Sequence, residues 1–494
     1  MCKKLVSTRG DKFVDTQGRH MILHGINMVC KDKGRNYIGD YTDEDFLTLK
    51  QWGFNVIRLG IFWDGVEPEP GQYDEKYLSG VDHIIQLAKK HDLCVFLDMH
   101  QDLFSRLYSD GAPEWATIID EQEHIKTDLW SEAYLLSPAV HAAFDNFWDN
   151  REATDGIGIQ DHFINMWRYI ASRYKDNKTV IGYDLFNEPF MGSEVNNLIA
   201  KLLWTMGNII SENKPIDMEK LMEQWLDPAQ KLELLTQLSD KDLYLRLVRE
   251  VEGSPQQFER NRLNKFYDKA GRAIREVDKD SILFLEANYF SNTGMKSGIR
   301  PVLDDNHIPV DFQAYSPHGY DLLVDTELYH LCDNTRIDVI FDTHKSVQEE
   351  LQLPMLVGEW GCYPNATRDQ LTQAAYLTEK FESLLAGDAY YDFSHVYNNQ
   401  ITEVLRRAYP MKAAGDILSY HYNFTEGSFY ASIRENKSTS NSIIYVPDIP
   451  PMDNISVIPY EKGFWIEKIE GSNSGYLIVP SSERDIQREI TFIQ

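Results

Sequence analysis

Two glutamates stand out in the sequence because each directly follows a short apolar run. Glu188 lies in Asn187-Glu188-Pro189, and Glu359 lies in Gly358-Glu359-Trp360. On opposite strands of a narrow barrel, two such carboxylates can reach one central point. Carboxyl groups about 5–5.5 Å apart are what retaining glycoside hydrolysis requires, one as the nucleophile and the other as the acid and then the base. The acid needs a raised pKa, and a neighbouring anionic nucleophile supplies part of that rise.

Other polar residues follow further predicted strands and can support the two glutamates. Arg58 would keep Glu359 ionised, and Asn187 is suited to hold a sugar 2-OH, whose hydrogen bond strengthens in the transition state. Three more side chains can orient the carboxylates and bind hydroxyl groups: His100, His318 and Tyr320.

Each of these residues also has an ordinary structural explanation. A single Glu at a strand end is more often a solvated rim residue or a helix N-terminal charge. His100 and His318, taken with Asp98, also suggest a metal-dependent hydrolase. That alternative leaves Glu188 and Glu359 without a role, and no HxH or HExxH spacing occurs in the sequence. The whole set therefore favours catalysis by two carboxylates, with no metal and no cofactor.

The elements that would position these residues follow an alternating β/α pattern. Helical periodicity separates the apolar runs, as in Lys76–His91 with Asp74 as its N-cap, and four other segments behave similarly: Phe163–Tyr174, Phe258–Val277, Ile337–Leu351 and Leu371–Leu385. This pattern predicts an α/β fold, a (β/α)8 TIM barrel, rather than an open sheet. The eight predicted strands are Met21–Ile26, Asn55–Leu59, Leu93–Met99, Val180–Phe186, Ile282–Glu286, Phe312–Tyr315, Met355–Val357 and Ala389–Phe393.

The pattern changes near residue 410. Short β-type runs separated by Asn, Gly, Pro and Ser predict a small C-terminal antiparallel β-sandwich. We therefore expect a catalytic barrel over residues 1–410 and a sandwich over residues 411–494. Two connections are long, Gln101–Gly158 and Pro189–Pro255, and the second contains predicted helices over Lys214–Leu226 and Ala229–Val251. Long loops after barrel strands usually shape a substrate cleft.

Composition limits the partners and the compartment. The 494 residues carry 77 acidic and 49 basic side chains, a net charge of −28, which argues against nucleic-acid binding. No run approaches the ~20 apolar residues of a membrane span, so we expect no stable membrane insertion. The lack of a signal-like N-terminal run and five scattered cysteines favour the cytoplasm, or secretion if a leader has been removed. Nothing in the sequence indicates an oligomeric state.

Several motifs resemble glycoside hydrolase family 5, and more closely its endoglycoceramidase branch. The family resemblance lies in Arg58, His100, Asn187-Glu188-Pro189, His318-Gly319-Tyr320 and Glu359. The branch resemblance lies in further segments along the whole chain: Asn55-Val56-Ile57-Arg58, Glu67-Pro68-Glu69-Pro70-Gly71-Gln72-Tyr73-Asp74, Asp98-Met99-His100-Gln101-Asp102, Gly111-Ala112-Pro113-Glu114-Trp115-Ala116, Ala143-Phe144-Asp145-Asn146-Phe147-Trp148 and Arg407-Ala408-Tyr409-Pro410. The resemblance implies a barrel with a C-terminal sandwich, with Glu188 as acid/base and Glu359 as nucleophile.

The chain departs from the family pattern where a sugar would stack. Family members commonly carry a Trp at the end of strand eight, whereas this chain has Ala389-Tyr390-Tyr391-Asp392, so Tyr391 is the expected platform. Asp98, Gln101 and Trp63 are expected to contact the sugar through hydroxyl bonding and ring stacking. For Trp63, simple core packing is an equal alternative.

The resemblance implies a β-glucosidic bond to a hydrophobic aglycone such as ceramide, and therefore a small-molecule or glycolipid substrate. The apolar segment Val195–Ile210 could form the wall of a lipid channel or an interfacial helix, although packing against its neighbours is slightly favoured. Two other functions stay open: an exo-acting β-glucosidase on non-lipid glucosides, and a non-catalytic carbohydrate-binding protein on the same fold.

Overall fold

The computed structural model describes residues 4–210, 223–224, 227, 230, 237–324, 329, 332–363, 366–397, 400–437 and 440–494. Most of the predicted helix Lys214–Leu226 lies outside these residues. The second predicted helix of that connection, Ala229–Val251, is described in its C-terminal part, where Lys241–Val251 is helical.

Eight parallel strands form the barrel. Strands are numbered in chain order, and three short ones precede the barrel: β1 (Val6–Arg9), β2 (Lys12–Asp15) and β3 (His20–Met21). The barrel strands are β4 (His24–Met28), β5 (Val56–Phe62), β6 (Cys94–His100), β7 (Val180–Asp184), β8 (Ile282–Leu285), β9 (Gln313–Tyr315), β10 (Leu356–Gly361) and β11 (Gly387–Tyr391). They pair in the order β10-β11-β4-β5-β6-β7-β8-β9. Parallel bridges Tyr315–Met355 and His318–Glu359 join β9 to β10, which confirms the predicted (β/α)8 barrel.

The helices on the outside of the barrel follow the predicted periodicity. Asp74 caps the helix Glu75–Lys90, because its carboxylate accepts the backbone N–H groups of Lys76 and Tyr77. The described helices of this layer and of the long connections are Asp43–Gln51, Trp63–Val66, Glu75–Lys90, Ala133–Leu136, Pro138–Trp148, Ile159–Tyr174, Val195–Ile210, Lys241–Val251, Gly253–Phe258, Asn264–Val277, Asn334–Leu351, Arg368–Leu384 and Ile401–Leu405. A short π-helical segment, Glu259–Leu263, precedes the helix Asn264–Val277.

Two antiparallel sheets form the C-terminal part, as predicted. Their strands are β12 (Tyr409–Ala413), β13 (Gly415–Asn423), β14 (Ser428–Glu435), β15 (Ser442–Val446), β16 (Ile455–Ile458), β17 (Trp465–Lys468), β18 (Gly475–Val479) and β19 (Ile486–Ile493). One sheet has the order β13-β14-β19-β16, and the other has the order β1-β2-β3-β12-β15-β18-β17. Side chains from both sheets share one apolar core, which includes Ile433, Ile444, Leu477 and Phe492.

The first predicted strand, Met21–Ile26, combines two elements of the structure. Met21 pairs with Lys412 in the seven-stranded sheet, whereas His24 begins the barrel strand β4. The side chain of Asn55 bridges this change of sheet, since it donates to the carbonyl of Ile22 and accepts the N–H of His24. The N-terminal strands thus belong to the same sheet as the C-terminal ones, and the division at residue 410 stays a prediction.

The seven-stranded sheet closes the N-terminal end of the barrel. Val6, Phe13 and Met21 from β1–β3 pack into one apolar cluster with barrel-interior residues such as Phe96 and Phe284. The opposite, C-terminal end of the barrel is therefore the end at which a cavity can open. Within the described residues, none of the helices combines the length and the apolar character needed to cross a bilayer.

Candidate active site

A cavity of about 270 Å³ lies at the C-terminal ends of the barrel strands. Its lining brings together six residues predicted from the sequence: His100, Asn187, Glu188, Tyr320, Glu359 and Tyr391. Four other predicted residues, Arg58, Asp98, Gln101 and His318, are buried directly beneath or beside this lining.

Arg58 is the centre of a buried charge cluster. Its side chain projects from β5 into the barrel and is fully buried. One NH group donates to Glu359 Oε1 at 2.6 Å and to Asn27 Oδ1 at 3.1 Å, and the other donates to Asn187 Oδ1 at 2.9 Å. The guanidinium also pairs with three more carboxylates: Asp98 at 2.9 Å, Asp184 at 3.0 Å and Glu286 at 2.7 Å.

The two glutamates converge on His318. Glu188 Oε1 lies 3.0 Å from His318 Nδ1, and Glu359 Oε2 lies 3.7 Å from the same nitrogen. The three side chains each place one atom within 4.8 Å of the others. This separation suits a nucleophile and an acid/base that act on one bond, and is shorter than the roughly 6.5–9.5 Å of inverting enzymes.

Local backbone geometry aims both carboxylates at the cavity. β10 has a register irregularity between Val357 and Trp360, on either side of Glu359, and such bulges often re-aim a side chain. Glu188 has a φ of +45°, in the left-handed region, and its N–H donates to Glu286 Oε2 at 2.7 Å. A non-glycine residue in this region requires support from its surroundings, which Glu286 supplies here.

The surroundings drive the pKa values of the two glutamates apart. Burial raises the pKa of Glu188 to about 7, and the negative charge of Glu359 adds to this effect. Burial also opposes ionisation of Glu359, but the positive charges of His318 and Arg58 outweigh it and lower the pKa of Glu359 to about 2. Near pH 5, therefore, Glu188 holds a proton and Glu359 is a carboxylate.

Further hydrogen bonds fix the orientation of both groups. Tyr320 donates its hydroxyl to Glu359 Oε2 at 2.9 Å, and Asn292 donates to Glu188 Oε1 at 2.7 Å. Gln101 donates to the carbonyl oxygen of Asn187 at 2.8 Å, and so supports the backbone just before Glu188. Gln101 therefore holds the loop and does not line the cavity.

One wall of the cavity combines a histidine, a tyrosine and an ion pair. His100 Nδ1 lies 2.8 Å from Asp98 Oδ2, which fixes the ring, and the His100 and Tyr391 rings are stacked with centroids 6.4 Å apart. Lys31 lies over the Tyr391 ring at 5.4 Å and pairs with Asp102. Tyr391 thus takes the position expected for the platform, whereas Asp98 acts on His100 and Arg58 from below.

Trp63 does not reach the cavity, contrary to the expectation that it contacts sugar. Its indole is 2% exposed, and its N–H donates to Glu67 Oε2 at 2.9 Å. The ring packs edge-on against Trp115, Phe147 and Phe163. Trp63 begins a short helix after β5, which turns its side chain away from the barrel axis and into the core.

Several residues of the site were missed by the sequence analysis, among them Glu286, Asp184 and Asn292. Glu286 directly follows β8, and its position after an apolar run was a signal of the same kind as that of Glu188. Asp184 is the last residue of β7 and was hidden inside the predicted strand. Asn292 lies in a short 3-10 helix, Tyr289–Thr293, which follows β8 and is too short to show a periodic pattern.

Several groups of three acidic or histidine side chains are close enough to hold a metal ion, such as Asp98, Asp184 and Glu286. In this group all three carboxylates already pair with Arg58. In another group, Asp102 pairs with Lys31. The cation charge that these carboxylates need is thus supplied by the protein's own side chains.

A second, apolar cavity of about 220 Å³ adjoins the first. The two share the lining residues Leu129, Ser131, Tyr289, Thr293 and Leu322. The helix Val195–Ile210 supplies part of the second lining: Leu198, Ile199, Leu202 and Met206. This helix therefore forms a cavity wall in addition to packing against neighbouring helices.

Comparison with known proteins gives matches over both parts of the chain. Residues 14–395 match the family described as cellulase (glycosyl hydrolase family 5), and residues 407–489 match the glycoside hydrolase family 5 C-terminal domain. The endoglycoceramidase of Cyanea nozakii is 31% identical over an alignment of 216 residues, and the match covers 38% of this chain and 42% of that protein. The glucosylceramidase of Aspergillus fumigatus is 31% identical over an alignment of 242 residues, and the match covers 37% of this chain and 32% of that protein. The matches thus span less than half the length of these curated relatives.

The fold is similar over almost the whole chain to a solved structure. Endo-glycoceramidase II from Rhodococcus sp., in its complex with ganglioside GM3, superposes with a TM-score of 0.73 at 22% identity. The superposition covers 98% of this chain and 99% of that chain. The predicted combination of a barrel with a C-terminal sandwich is confirmed by this likeness.

Proposed function

The chain belongs to glycoside hydrolase family 5, and on that basis we propose that it is a retaining β-glycosidase that releases sugar from a hydrophobic aglycone. The observation that carries the proposal is the pair Glu188 and Glu359. Their carboxylate oxygens lie within 4.8 Å, and their pKa values of about 7 and about 2 give one proton donor and one anion. This combination is what the two steps of retaining hydrolysis need.

In the first step, Glu359 attacks the anomeric carbon and Glu188 gives its proton to the departing glycosidic oxygen. The C–O bond to the aglycone breaks, and an ester bond between the sugar and Glu359 forms. The negative charge of Glu359 disappears in this step, and with it a cause of the raised pKa of Glu188. Glu188 then takes a proton from water, which attacks the anomeric carbon and releases Glu359.

The surrounding residues take supporting roles in this proposal. Arg58 and Tyr320 hold Glu359 as an anion, and Asn187 is assigned to the sugar 2-OH. His100 and Tyr391 are assigned to the sugar ring, the first through its Nε2 and the second through its aromatic face. Asp98, Gln101 and His318 act through these residues, since they contact Arg58, His100, Glu188 and the backbone of Asn187.

The adjoining apolar cavity supports a lipid aglycone, most specifically the ceramide of glycosphingolipids. A sugar bound at Glu188 and Glu359 would direct its aglycone along the shared residues Tyr289, Thr293 and Leu322. Beyond them, the side chains of Leu198, Leu202 and Met206 offer an apolar wall to a hydrocarbon chain. The names of the relatives agree with this substrate class, whereas a non-lipid glucoside would leave the second cavity without a role.

The proposal is tested by incubating the protein with glucosylceramide and lactosylceramide and identifying the released sugars by mass. We expect ceramide from both or from the first alone, and the sugar released shows whether cleavage is endo or exo. A 2-fluoro glycoside should label Glu359, and Glu359→Gln should abolish turnover. Tight sugar binding without hydrolysis over a broad glycoside panel would instead support a non-catalytic carbohydrate-binding protein.

A further inference from the structure

One buried carboxylate, that of Glu286, contacts Arg58, His318 and the backbone of Glu188. Its Oε1 accepts from Arg58 at 2.7 Å and lies 3.3 Å from His318 Nε2. Its Oε2 accepts the backbone N–H of Glu188 at 2.7 Å. Glu286 is 2% exposed and does not line the cavity, so it acts on the reaction only through these three neighbours.

These contacts differ from those of the other carboxylates on Arg58. Asp184 pairs with Arg58 Nε at 3.0 Å, and within the described part of the chain no hydrogen bond joins it to Glu188 or His318. Glu286, in contrast, links the arginine that holds Glu359 to the histidine that holds Glu188. It also satisfies the N–H of Glu188 in its left-handed conformation, which would otherwise be an unpaired buried donor.

We propose that Glu286 is a positioning residue that couples the acid/base to the nucleophile, by holding the backbone of Glu188 and the charge of His318 together. The inference rests on the proposed function, because it assigns the roles of acid and nucleophile to Glu188 and Glu359. It adds the residue directly after β8 to the groups that position the two glutamates.

The charge of Glu286 controls His318, and His318 controls both glutamates. Burial opposes protonation of His318, but the negative charges of Glu286 and Glu359 outweigh it and raise the pKa of His318 well above its usual value. The positive His318 in turn favours the ionised forms of Glu188 and Glu359. Other polar groups surround Glu286, His318 and the two glutamates: Arg58, Asp98, Asp184, Tyr320, the Tyr267 hydroxyl, which donates to the backbone oxygen of Glu286, and the His344 ring, which lies at the backbone oxygen of His318.

Two substitutions separate the charge of Glu286 from its backbone contact. Glu286→Gln keeps an oxygen for the Glu188 N–H but removes the charge, so His318 loses a proton more easily and the pKa of Glu188 rises. We expect the alkaline limb of kcat/KM to move upward by about one pH unit. Glu286→Asp keeps the charge but withdraws the oxygen, so we expect the limb to stay and kcat to fall by about 10²-fold. In both variants KM should change by less than about threefold, since Glu286 does not touch substrate.

Asp184→Asn is the matched control, since it removes another buried carboxylate from Arg58. Burial and the charge of Glu286 hold the pKa of Asp184 well above its usual value, which favours the protonated form that Asn resembles. We expect the alkaline limb of this variant at the wild-type position, with a smaller fall in kcat than in Glu286→Asp.

The outcomes distinguish failure of this inference from failure of the proposed function. If the wild-type protein hydrolyses no glycoside, the proposed function fails. If it is active, but Glu286→Gln has the same pH profile as Asp184→Asn, Glu286 is only a counter-ion of Arg58 and the inference is overturned. Should Glu286→Gln not fold, as judged by thermal unfolding, Glu286→Asp decides alone, and a wild-type kcat in that variant overturns the inference.

Discussion

Two buried arginines, one at each end of the barrel, are surrounded by acidic and histidine side chains in different proportions. Arg58, at the cavity, pairs with four carboxylates. Arg407, at the opposite end, pairs closely with Asp388 at 2.5 Å and lies 3.9 Å from Glu382. Asp388 also accepts the indole N–H of Trp360 at 3.1 Å and lies 3.1 Å from His24 Nδ1.

The protonation states of the two clusters differ as their composition does. Around Arg407, burial lowers the pKa of His24, while Arg407 and His24 outweigh the burial of Asp388 and lower its pKa. That cluster contains the ion pair of Arg407 and Asp388 beside a histidine whose neutral form is favoured, and burial raises the pKa of its second acid, Glu382. Around Arg58, burial together with neighbouring negative charge raises the pKa values of Glu188 and Asp184, and the charges of Glu286 and Glu359 outweigh burial and raise the pKa of His318. A cluster in which positive and negative charges are nearly equal stabilises the fold, whereas a cluster with an excess of carboxylates retains protons that can be transferred.

The largest expected difference between the clusters concerns the proton on Glu188. Glu188→Gln should lower kcat by about 10²–10⁴-fold for a glycoside with a poor leaving group, because the departing oxygen receives no proton. An activated aryl glycoside should lose much less in the same step, and the alkaline limb near pH 7 should disappear. Equal losses for both leaving groups would contradict the role of Glu188 as the acid.

At the other end of the barrel, the expected effect is on stability and not on proton transfer. Arg407→Met leaves Asp388 buried without its main counter-ion, which should lower the free energy of unfolding in urea by about 3–5 kcal/mol. The alkaline limb of the folded variant should stay in place. Arg406→Met, at a half-buried neighbour, is the control and should cost within about 1 kcal/mol. If Arg407→Met shifted the alkaline limb of the kcat/KM profile, the Arg407 cluster would also affect proton transfer, and the proposed difference between the two clusters would be wrong.

The raised pKa of Glu188 also lowers the free energy of unfolding as the pH rises. This pH dependence is a second difference between the two clusters. A group whose pKa is higher in the folded state gives stability at low pH that is lost as pH rises through the folded value. From the ordinary value near 4.5 to about 7, the wild type should lose about 3 kcal/mol of unfolding free energy from this group. Glu188→Gln should lack this loss in urea titrations at pH 4.5 and pH 8. Parallel pH dependence in both proteins would contradict the raised pKa.

The smallest expected effect concerns the apolar cavity, which adjoins the active-site cavity but is lined by neither of the two arginines. Leu202→Asn places a polar amide in the wall formed by the helix Val195–Ile210 and should raise KM for glucosylceramide about tenfold. Hydrolysis of a short aryl glucoside and its pH profile should not change. The control is Leu87→Asn, at a half-buried leucine on the helix Glu75–Lys90. If both variants affect the lipid substrate equally, the cavity does not bind the aglycone.

The sequence was most informative where one physical rule acts alone. Buried parallel strands are short apolar runs, so all eight could be located, and a polar residue just after such a run must lie near the barrel axis. For this reason, the sequence alone predicts that Glu188 and Glu359 lie near the barrel axis. The predicted strand Met21–Ile26 has the wrong bounds, because two strands of different sheets follow each other there in one continuous apolar run.

The remaining errors arise where side-chain direction decides. Trp63 follows a strand end as the predicted polar residues do, but a helical turn begins there and sends its indole into the core. Glu286 had the same sequence signal as Glu188, yet only the three-dimensional contacts with Arg58, His318 and the Glu188 backbone reveal its place. Asn292 lies in the 3-10 helix Tyr289–Thr293, which is too short for a periodic pattern to predict.

The pairing of β3 with β12 makes the two ends of the chain partners in one sheet. The backbone N–H of Ile417 donates to the ring of His20, across a separation of 397 residues. During synthesis, the edge of β3 stays without its neighbour until nearly the whole chain has been made, so the lower end of the barrel is completed late. Removal of either β3 or β12 would open the same seam, although the two strands lie far apart in the sequence.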